Sequence, residues 1–255
     1  MTVPHNRHLD QPLSGRVLIL IPAYNEELSL GLLLDEVQRE LPDYPVLVVN
    51  DGSADSTPSV ARQCGVAVLN MPYNVGVGTA VQAGFQYAWR NGFDYVLRLD
   101  GDGQHPPAGA RRLLEAMQDT PSDLILGTRF GANSGVISTW VRHLGVRGLA
   151  LFLSIICQAR ITDPTSGLWL INRRLIFVFA NLYPSDYPEP EALALLRRLG
   201  YTFREVPVCF RSRKAGLSSI GRWDTLFHAL KVVLALCVDR VRPVDVRYSS
   251  SRVKC

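Results

Sequence analysis

The chain has 255 residues, 47% of them apolar and 20% charged, with a net charge of +4. That length suits one large α/β domain or two small ones, and 20 Gly and 16 Pro are ordinary usage, which excludes a disordered, collagen-like or low-complexity chain. Charge is spread unevenly: residues 1–196 carry 14 basic against 19 acidic side chains, residues 197–255 carry 13 against 4, so the C-terminal quarter points to an anionic partner.

After a polar N-terminal tail at 1–14, residues 16–21 (RVLILI) form a short apolar run ended by Pro22, the pattern of a buried strand. Residues 26–41 carry Leu30, Leu33, Leu34 and Val37 at helical spacing and stop at Pro42. A second buried strand at 46–49 closes on the turn 50–53, and residues 55–58 (DSTP) read as the cap and first turn of a helix. A strand at 66–69, a helix at 78–91 and a strand at 95–99 follow, then a helix at 108–117 and a strand at 124–126. In the second half, 137–159 reads as a long helix or helix pair, 167–172 and 203–208 as strands, 189–199 and 220–241 as helices. The remainder, 245–255, reads as a polar tail without fixed structure.

Strands alternating with helices predict a mostly parallel sheet covered by helices on both faces. Ligands then sit beyond the C-terminal strand ends. Each of those ends is polar here: PAYNE, NDGSADST, NMPYNVG, DGDGQH and GTRF. Cys64, Cys157, Cys209, Cys237 and Cys255 are odd in number and contain no CxxC pair, which argues against a disulfide framework or a cysteine-bound zinc. Residues 1–14 contain no apolar leader, and the longest apolar stretch, 148–157, falls well short of the roughly 20 residues of a membrane span. The expectation is a cytosolic protein with no integral anchor.

The strongest chemical signal is Asp100-Gly101-Asp102-Gly103-Gln104-His105. Two carboxylates one residue apart at a strand end, with a following amide, offer the hard oxygen ligands that suit Mg²⁺ or Mn²⁺. Magnesium is usually held by one or two carboxylates plus substrate phosphates, so a diphosphate ligand is implied. Tyr24, Glu26 and Asp51 bring an aromatic face and acceptors to neighbouring loops, an arrangement able to hold a nucleobase and ribose. The glycines of Asn74-Val75-Gly76-Val77-Gly78 are not a dinucleotide fingerprint, since the third glycine position is Val81, and no GxxxxGK[ST] is present. Glu189 and Glu191, opening a helix, are placed to act as general base toward a hydroxyl acceptor; a phosphate acceptor would need none. The basic C-terminal end lacks an aromatic-basic platform, which argues against nucleic acid.

These motifs, together with DPTSG at 163–167 and EVPVCFRSRKAG at 205–216, resemble the family 2 glycosyltransferases of GT-A fold, and among them the polyprenyl-phosphate, dolichyl-phosphate mannose synthase-like branch. The resemblance spans about residues 17–220. It implies an α/β GT-A domain over 15–219, with a nucleotide-binding half (15–130) and an acceptor-side half (131–219), then a terminal helix at 220–242 and a tail at 243–255. It implies that Pro22, Tyr24, Glu26 and Asp51 hold the nucleoside, that Asp100 and Gly101 lie against ribose and diphosphate, and that Asp100, Asp102 and Gln104 bind the metal. Arg129 and Arg213 would meet phosphate, with Arg211 and Lys214 nearby; Asp102, Arg129, Arg213 and Glu191 form the expected catalytic set. The implied reaction is metal-dependent, inverting transfer of a hexose from a UDP- or GDP-sugar to a polyprenyl phosphate at the cytosolic membrane face, by peripheral contact or through a membrane-protein partner. Transfer to a sugar hydroxyl in glycan synthesis is the alternative. Two features depart from the lipid-phosphate pattern: Gly216-Leu217-Ser218-Ser219 ends in Ser where a basic residue is common, and the C-terminal membrane helices of many relatives are missing. The 220–241 segment instead joins apolar residues to Arg222, Arg240 and Arg242, the composition of either an interfacial helix or a core helix.

Overall fold

The structure is a computed structural model, described over residues 13–130, 140–211, 231–237 and 245–253. Seven strands form one sheet: β1 (Val17–Ala23), β2 (Val46–Asn50), β3 (Ala67–Asn70), β4 (Tyr95–Arg98), β5 (Leu124–Thr128), β6 (Trp169–Asn172) and β7 (Phe203–Pro207). Their order is β3-β2-β1-β4-β6-β5-β7. The first four are mutually parallel, β6 runs antiparallel to both β4 and β5, and β7 is parallel to β5. Among the described residues the helices include α1 (Glu27–Glu40), α2 (Thr57–Gln63), α3 (Val77–Arg90), α4 (Pro107–Asp119), α5 (Trp140–Cys157), α6 (Arg173–Leu182) and α7 (Pro188–Arg198).

The continuous apolar run of β1 is explained by burial on both faces. Leu18 and Leu20 point into one core with Val81, Phe85, Leu153, Phe179 and Leu193, so α3, α5, α6 and α7 cover that side. Val17, Ile19 and Ile21 point into the other with Leu30, Val37, Ala61 and Leu113, so α1, α2 and α4 cover the opposite side. Every strand and helix expected from the sequence within the described residues is present, with ends shifted by one or two positions.

Two features differ from expectation. Helix α6 follows β6 without a connecting loop. Asn172 ends the strand and caps the helix, its side chain accepting the Leu175 N–H at 3.0 Å, so the apolar periodicity of one element runs straight into the next. The expected loose tail is docked over 245–253. Tyr201 donates its hydroxyl to the Tyr248 carbonyl (3.0 Å), the Ser250 N–H donates to the Leu199 carbonyl (2.9 Å), and Arg174 donates to the carbonyls of Ser250 and Val253. Polar composition hid this because the tail is held by backbone acceptors, which any sequence supplies. Of the expected 220–241 helix, residues 231–237 are described and helical; Val232 and Leu236 are buried in the core that α3, α5, α6 and α7 cover, while Leu234 faces outward. Among the described residues no helix is long and apolar enough to cross a membrane.

Candidate active site

The parallel strands bring their C-terminal loops to one edge, and those loops are tied to one another. After β1, Asn25 adopts φ 53°, a left-handed turn that Asn tolerates. Its N–H donates to Ser53 Oγ (3.0 Å) and its Oδ1 accepts the Ala54 N–H (2.9 Å). The Glu26 N–H donates to Thr57 Oγ1 (2.8 Å), fixing the start of α1 against the loop after β2. Ser29 donates to Glu26 Oε2 (2.6 Å) and lies 3.1 Å from the Gly101 carbonyl oxygen, linking PAYNE to DGDGQH. Pro22 is buried on β1, and a Cβ on Gly101 would come 3.0 Å from the Pro22 oxygen, so glycine permits that close approach.

Asp51 is 3% exposed and its carboxylate accepts the N–H groups of Val75 (2.8 Å) and Gly76 (3.1 Å). It therefore clamps the Asn74–Gly78 turn onto the end of β2. Tyr24 and Tyr73 stand 45% and 68% exposed in the loops after β1 and β3.

The acidic pair lies at the end of β4. Asp100 follows Arg98 by two residues, so both project to the same side of the strand. Arg98 is 1% exposed. Its Nη2 donates to Glu189 Oε1 on α7 (2.7 Å) and to Asp100 Oδ1 (3.2 Å), and its Nη1 to the Tyr183 hydroxyl (3.0 Å). Burial alone would favour loss of the Arg98 proton; Tyr183, Glu189 and Asp100 outweigh it and raise the pKa above its ordinary value. Burial also pushes the Tyr183 phenol above its usual value. For Asp100, burial acts upward, but His105, Arg98 and Arg129 outweigh it and hold the carboxyl below the usual range, so it is ionised at neutral pH. The buried His105 accepts the Asp100 backbone N–H at Nδ1 (3.1 Å), and desolvation lowers its pKa against the pull of Asp100 and Asp102.

Asp102 Oδ1 accepts the Gln104 N–H (3.0 Å) and its Oδ2 the Gln104 side-chain amide (2.5 Å), so Gln104 orients Asp102. Gly167 of DPTSG packs flat on Asp100: a Cβ there would fall 2.6 Å and 2.7 Å from the two carboxylate oxygens. This cradle, lined by carboxylate and amide oxygens, fits a hard divalent cation. Among the described residues no group of three or more His, Cys, Asp or Glu is placed to chelate a metal. Asp100, Asp102 and Gln104 would therefore need phosphate or water oxygens to complete the shell, as magnesium sites commonly do.

Arg129, expected to reach phosphate, is engaged otherwise. Its Nε donates to Asp163 Oδ2 (2.8 Å) and its Nη2 to Asp163 Oδ1 (2.6 Å) and Thr165 Oγ1 (2.7 Å). Asp163 is fully buried. Burial opposes the Arg129 charge, but Asp163 outweighs it and raises the pKa. Glu205 on β7 holds the same loop by accepting from the Thr162 N–H (2.7 Å) and hydroxyl (2.7 Å). Arg211 is also diverted: its guanidinium pairs with Glu36 of α1 at 2.6 Å, while its N–H donates to the Gln104 carbonyl (3.0 Å). Arg213 and Lys214 lie outside the described residues.

Of the two glutamates opening α7, Glu189 reaches the acidic site through Arg98. Glu191, two residues on and roughly 200° around the helix, is half-buried. Arg98 and Tyr183 are site residues that the motifs do not include. The available signal was an arginine inside the apolar strand YVLRL, where a cation survives only if paired.

A sequence model of the glycosyl transferase family 2 matches residues 18–177. The chain is 29% identical over 223 residues to the polyprenol monophosphomannose synthase of Mycolicibacterium smegmatis, covering 81% of each. It is 32% identical over 216 residues to the undecaprenyl-phosphate mannosyltransferase of Micrococcus luteus, covering 81% of this chain and 88% of that one. Among solved structures, glucosyl-3-phosphoglycerate synthase from Mycobacterium tuberculosis, crystallised with Mn²⁺ and UDP-glucose, superposes with a TM-score of 0.67 at 21% identity, covering 91% of this chain and 81% of that one. The fold is thus GT-A.

Proposed function

Because the chain belongs to glycosyl transferase family 2, we propose that it transfers a hexose from a UDP- or GDP-linked donor to a polyprenyl phosphate, with inversion, at the cytosolic face of a membrane. The names of both mannosyl-transferring relatives favour mannose and a polyprenyl phosphate. The observation that carries the donor half is the meeting of Asp100 and Asp102 with the Tyr24, Glu26 and Asp51 loops at one sheet edge. Pro22, Tyr24 and Glu26 are proposed to receive the nucleoside. Asp51 acts there by shaping the adjoining turn, since two backbone N–H groups already occupy its carboxylate.

A divalent cation held by Asp100, Asp102 and Gln104, Mn²⁺ or Mg²⁺, would neutralise the diphosphate as it departs. Gln104 keeps Asp102 turned toward that position. Arg213 is proposed to add positive charge to the diphosphate. Arg129 is proposed to serve the site chiefly by anchoring DPTSG, whose Gly167 backs Asp100. In the reaction an acceptor oxygen bonds to the anomeric carbon as the bond from that carbon to the nucleoside diphosphate breaks, on opposite faces of the sugar.

The ion pairing of Glu189 favours a phosphate acceptor. A hydroxyl nucleophile needs a base to take its proton, whereas a phosphate oxygen is already anionic. Glu189, the α7 carboxylate that reaches the site, is engaged by a buried guanidinium at 2.7 Å. Contact with the membrane is assigned to α5, where Leu151 and Ile155, one turn apart, stand 64% and 67% exposed with Arg147 and Arg160 exposed beyond them.

The test is transfer from GDP-mannose, UDP-glucose and related donors to a polyprenyl phosphate in anionic vesicles, with Mn²⁺ or Mg²⁺ or neither. Metal-dependent product from one donor is expected, with Asp102→Ala lowering the rate on the order of 10²-fold or more while the variant stays folded. Undiminished transfer by Asp102→Ala would overturn the metal assignment. Transfer to a sugar hydroxyl in preference to the lipid phosphate would overturn the acceptor.

A further inference from the structure

We propose that Arg98 is a positioning residue for the donor site: it turns Asp100 so that one carboxylate oxygen faces the cation, with Glu189 as its counter-charge. This rests on the reading of Asp100 as a metal ligand. Strand β4 is otherwise apolar up to Leu99, and a guanidinium 1% exposed within it persists only with ionic partners. Glu189 alone, at 2.7 Å, would neutralise it. The guanidinium is instead shared: the same Nη2 also donates to Asp100 Oδ1 at 3.2 Å. Its Nε–H is buried without a partner, as is the indole N–H of Trp169, its neighbour in register on β6. The side chain thus leaves one donor unsatisfied while serving both carboxylates, a geometry that packing alone does not favour.

The effect on Asp100 follows from three contacts. Oδ1 is held by Arg98, the backbone N–H is held by His105, and the flat Gly167 backbone closes one face of the carboxylate. His105 Nδ1 lies 3.7 Å from Oδ2, but it accepts the Asp100 N–H and so offers that oxygen no hydrogen bond. Oδ2 is left as the oxygen directed to a ligand, in a fixed direction. Arg98 and Glu189 together add no net charge, so the pair orients Asp100 without repelling a cation. The N-terminus of α7 becomes electrically part of the donor site.

The variant Arg98→Met/Glu189→Leu removes both charges and leaves the net charge near the site unchanged. It should remain folded, since an apolar pair of similar volume often replaces a buried ion pair without loss of stability. Free Mn²⁺ is read by electron paramagnetic resonance during titration of the protein with GDP or UDP present. Mn²⁺ affinity should fall about 10–100-fold relative to wild type, the usual effect of losing a residue that orients a metal ligand. The Mn²⁺ concentration for half-maximal transfer should rise in parallel, with thermal stability retained. Arg98→Lys, which keeps the charge but not the planar fork, provides a second folded variant and should bind Mn²⁺ several-fold more weakly. Wild-type Mn²⁺ affinity in either folded variant overturns the positioning role while leaving the metal assignment intact. Failure of the wild-type protein itself to bind Mn²⁺ under these conditions overturns both.

Discussion

The two ends of the sheet hold their site loops by different means. In the parallel β3-β2-β1-β4 half, loops are joined by hydrogen bonds between side chains and nearby backbone: Asn25 to Ala54, Thr57 to Glu26, Asp51 to Val75 and Gly76. In the β6-β5-β7 half, where β6 is inserted antiparallel, the DPTSG loop is held by buried charge, Arg129 to Asp163, and where the two halves meet Arg98 of β4 pairs with Glu189 of α7. Backbone bonds accept many side chains at modest loss, whereas a buried charge deprived of its partner is severely destabilising. The donor side is therefore built from replaceable parts, and the acceptor side from pairs that stand or fall together.

The sharpest test of that contrast is Arg129→Met. It strands the fully buried Asp163 and should lower unfolding free energy by about 3–5 kcal/mol, read by urea denaturation. Thr57→Val, which removes the acceptor of the Glu26 N–H, should cost only about 1 kcal/mol in the same experiment. Equal losses would erase the distinction between the halves.

A smaller effect is expected where the halves meet. Gly167→Ala forces a methyl group against the Asp100 carboxylate, within 2.6 Å of Oδ2. Overpacking of this kind costs about 1–3 kcal/mol, and the displaced carboxylate should weaken Mn²⁺ binding more than it lowers the melting temperature. A loss of stability with unchanged Mn²⁺ affinity would detach the acceptor-side loop from the metal site.

The smallest effect concerns acid stability on the donor side. Burial raises the Asp55 pKa, but the hydroxyl and N–H of Thr57 and the N–H of Glu27 outweigh it and hold it below the usual value. A carboxyl with a lowered folded pKa contributes stability fully above its unfolded value, near 3.8, and loses it as pH falls through the folded value. Asp55→Asn should thus flatten the decline of melting temperature below about pH 4, and leave its slope near neutrality unchanged.

The uneven charge along the chain looks different once partners are known. Several basic residues of the C-terminal quarter are spent internally. Arg197 donates to the Cys157 carbonyl (3.1 Å), Arg204 to Thr120 (3.1 Å), Arg211 to Glu36 (2.6 Å) and Arg247 to Asp245 (2.5 Å). Arg247 keeps its side chain 77% exposed despite that local pair.

The sequence by itself determined the strands, the helices other than α6, and the edge at which the site forms. Those features are set within a few residues by apolar period, proline and turn chemistry, and RVLILI, NDGS and DGDGQH carry them locally. It also singled out Asp100, Asp102 and Gln104 as candidate ligands, because residues two apart at a strand end are neighbours in any fold. Only the tertiary structure decided which charge meets which. Arg129 finds Asp163 across 34 residues, Arg98 finds Glu189 across 91, and Arg211 finds Glu36 across 175. No local pattern encodes such a pairing: it depends on which strand ends the sheet order sets side by side, and once two charges are buried there the energy of leaving either alone fixes the choice.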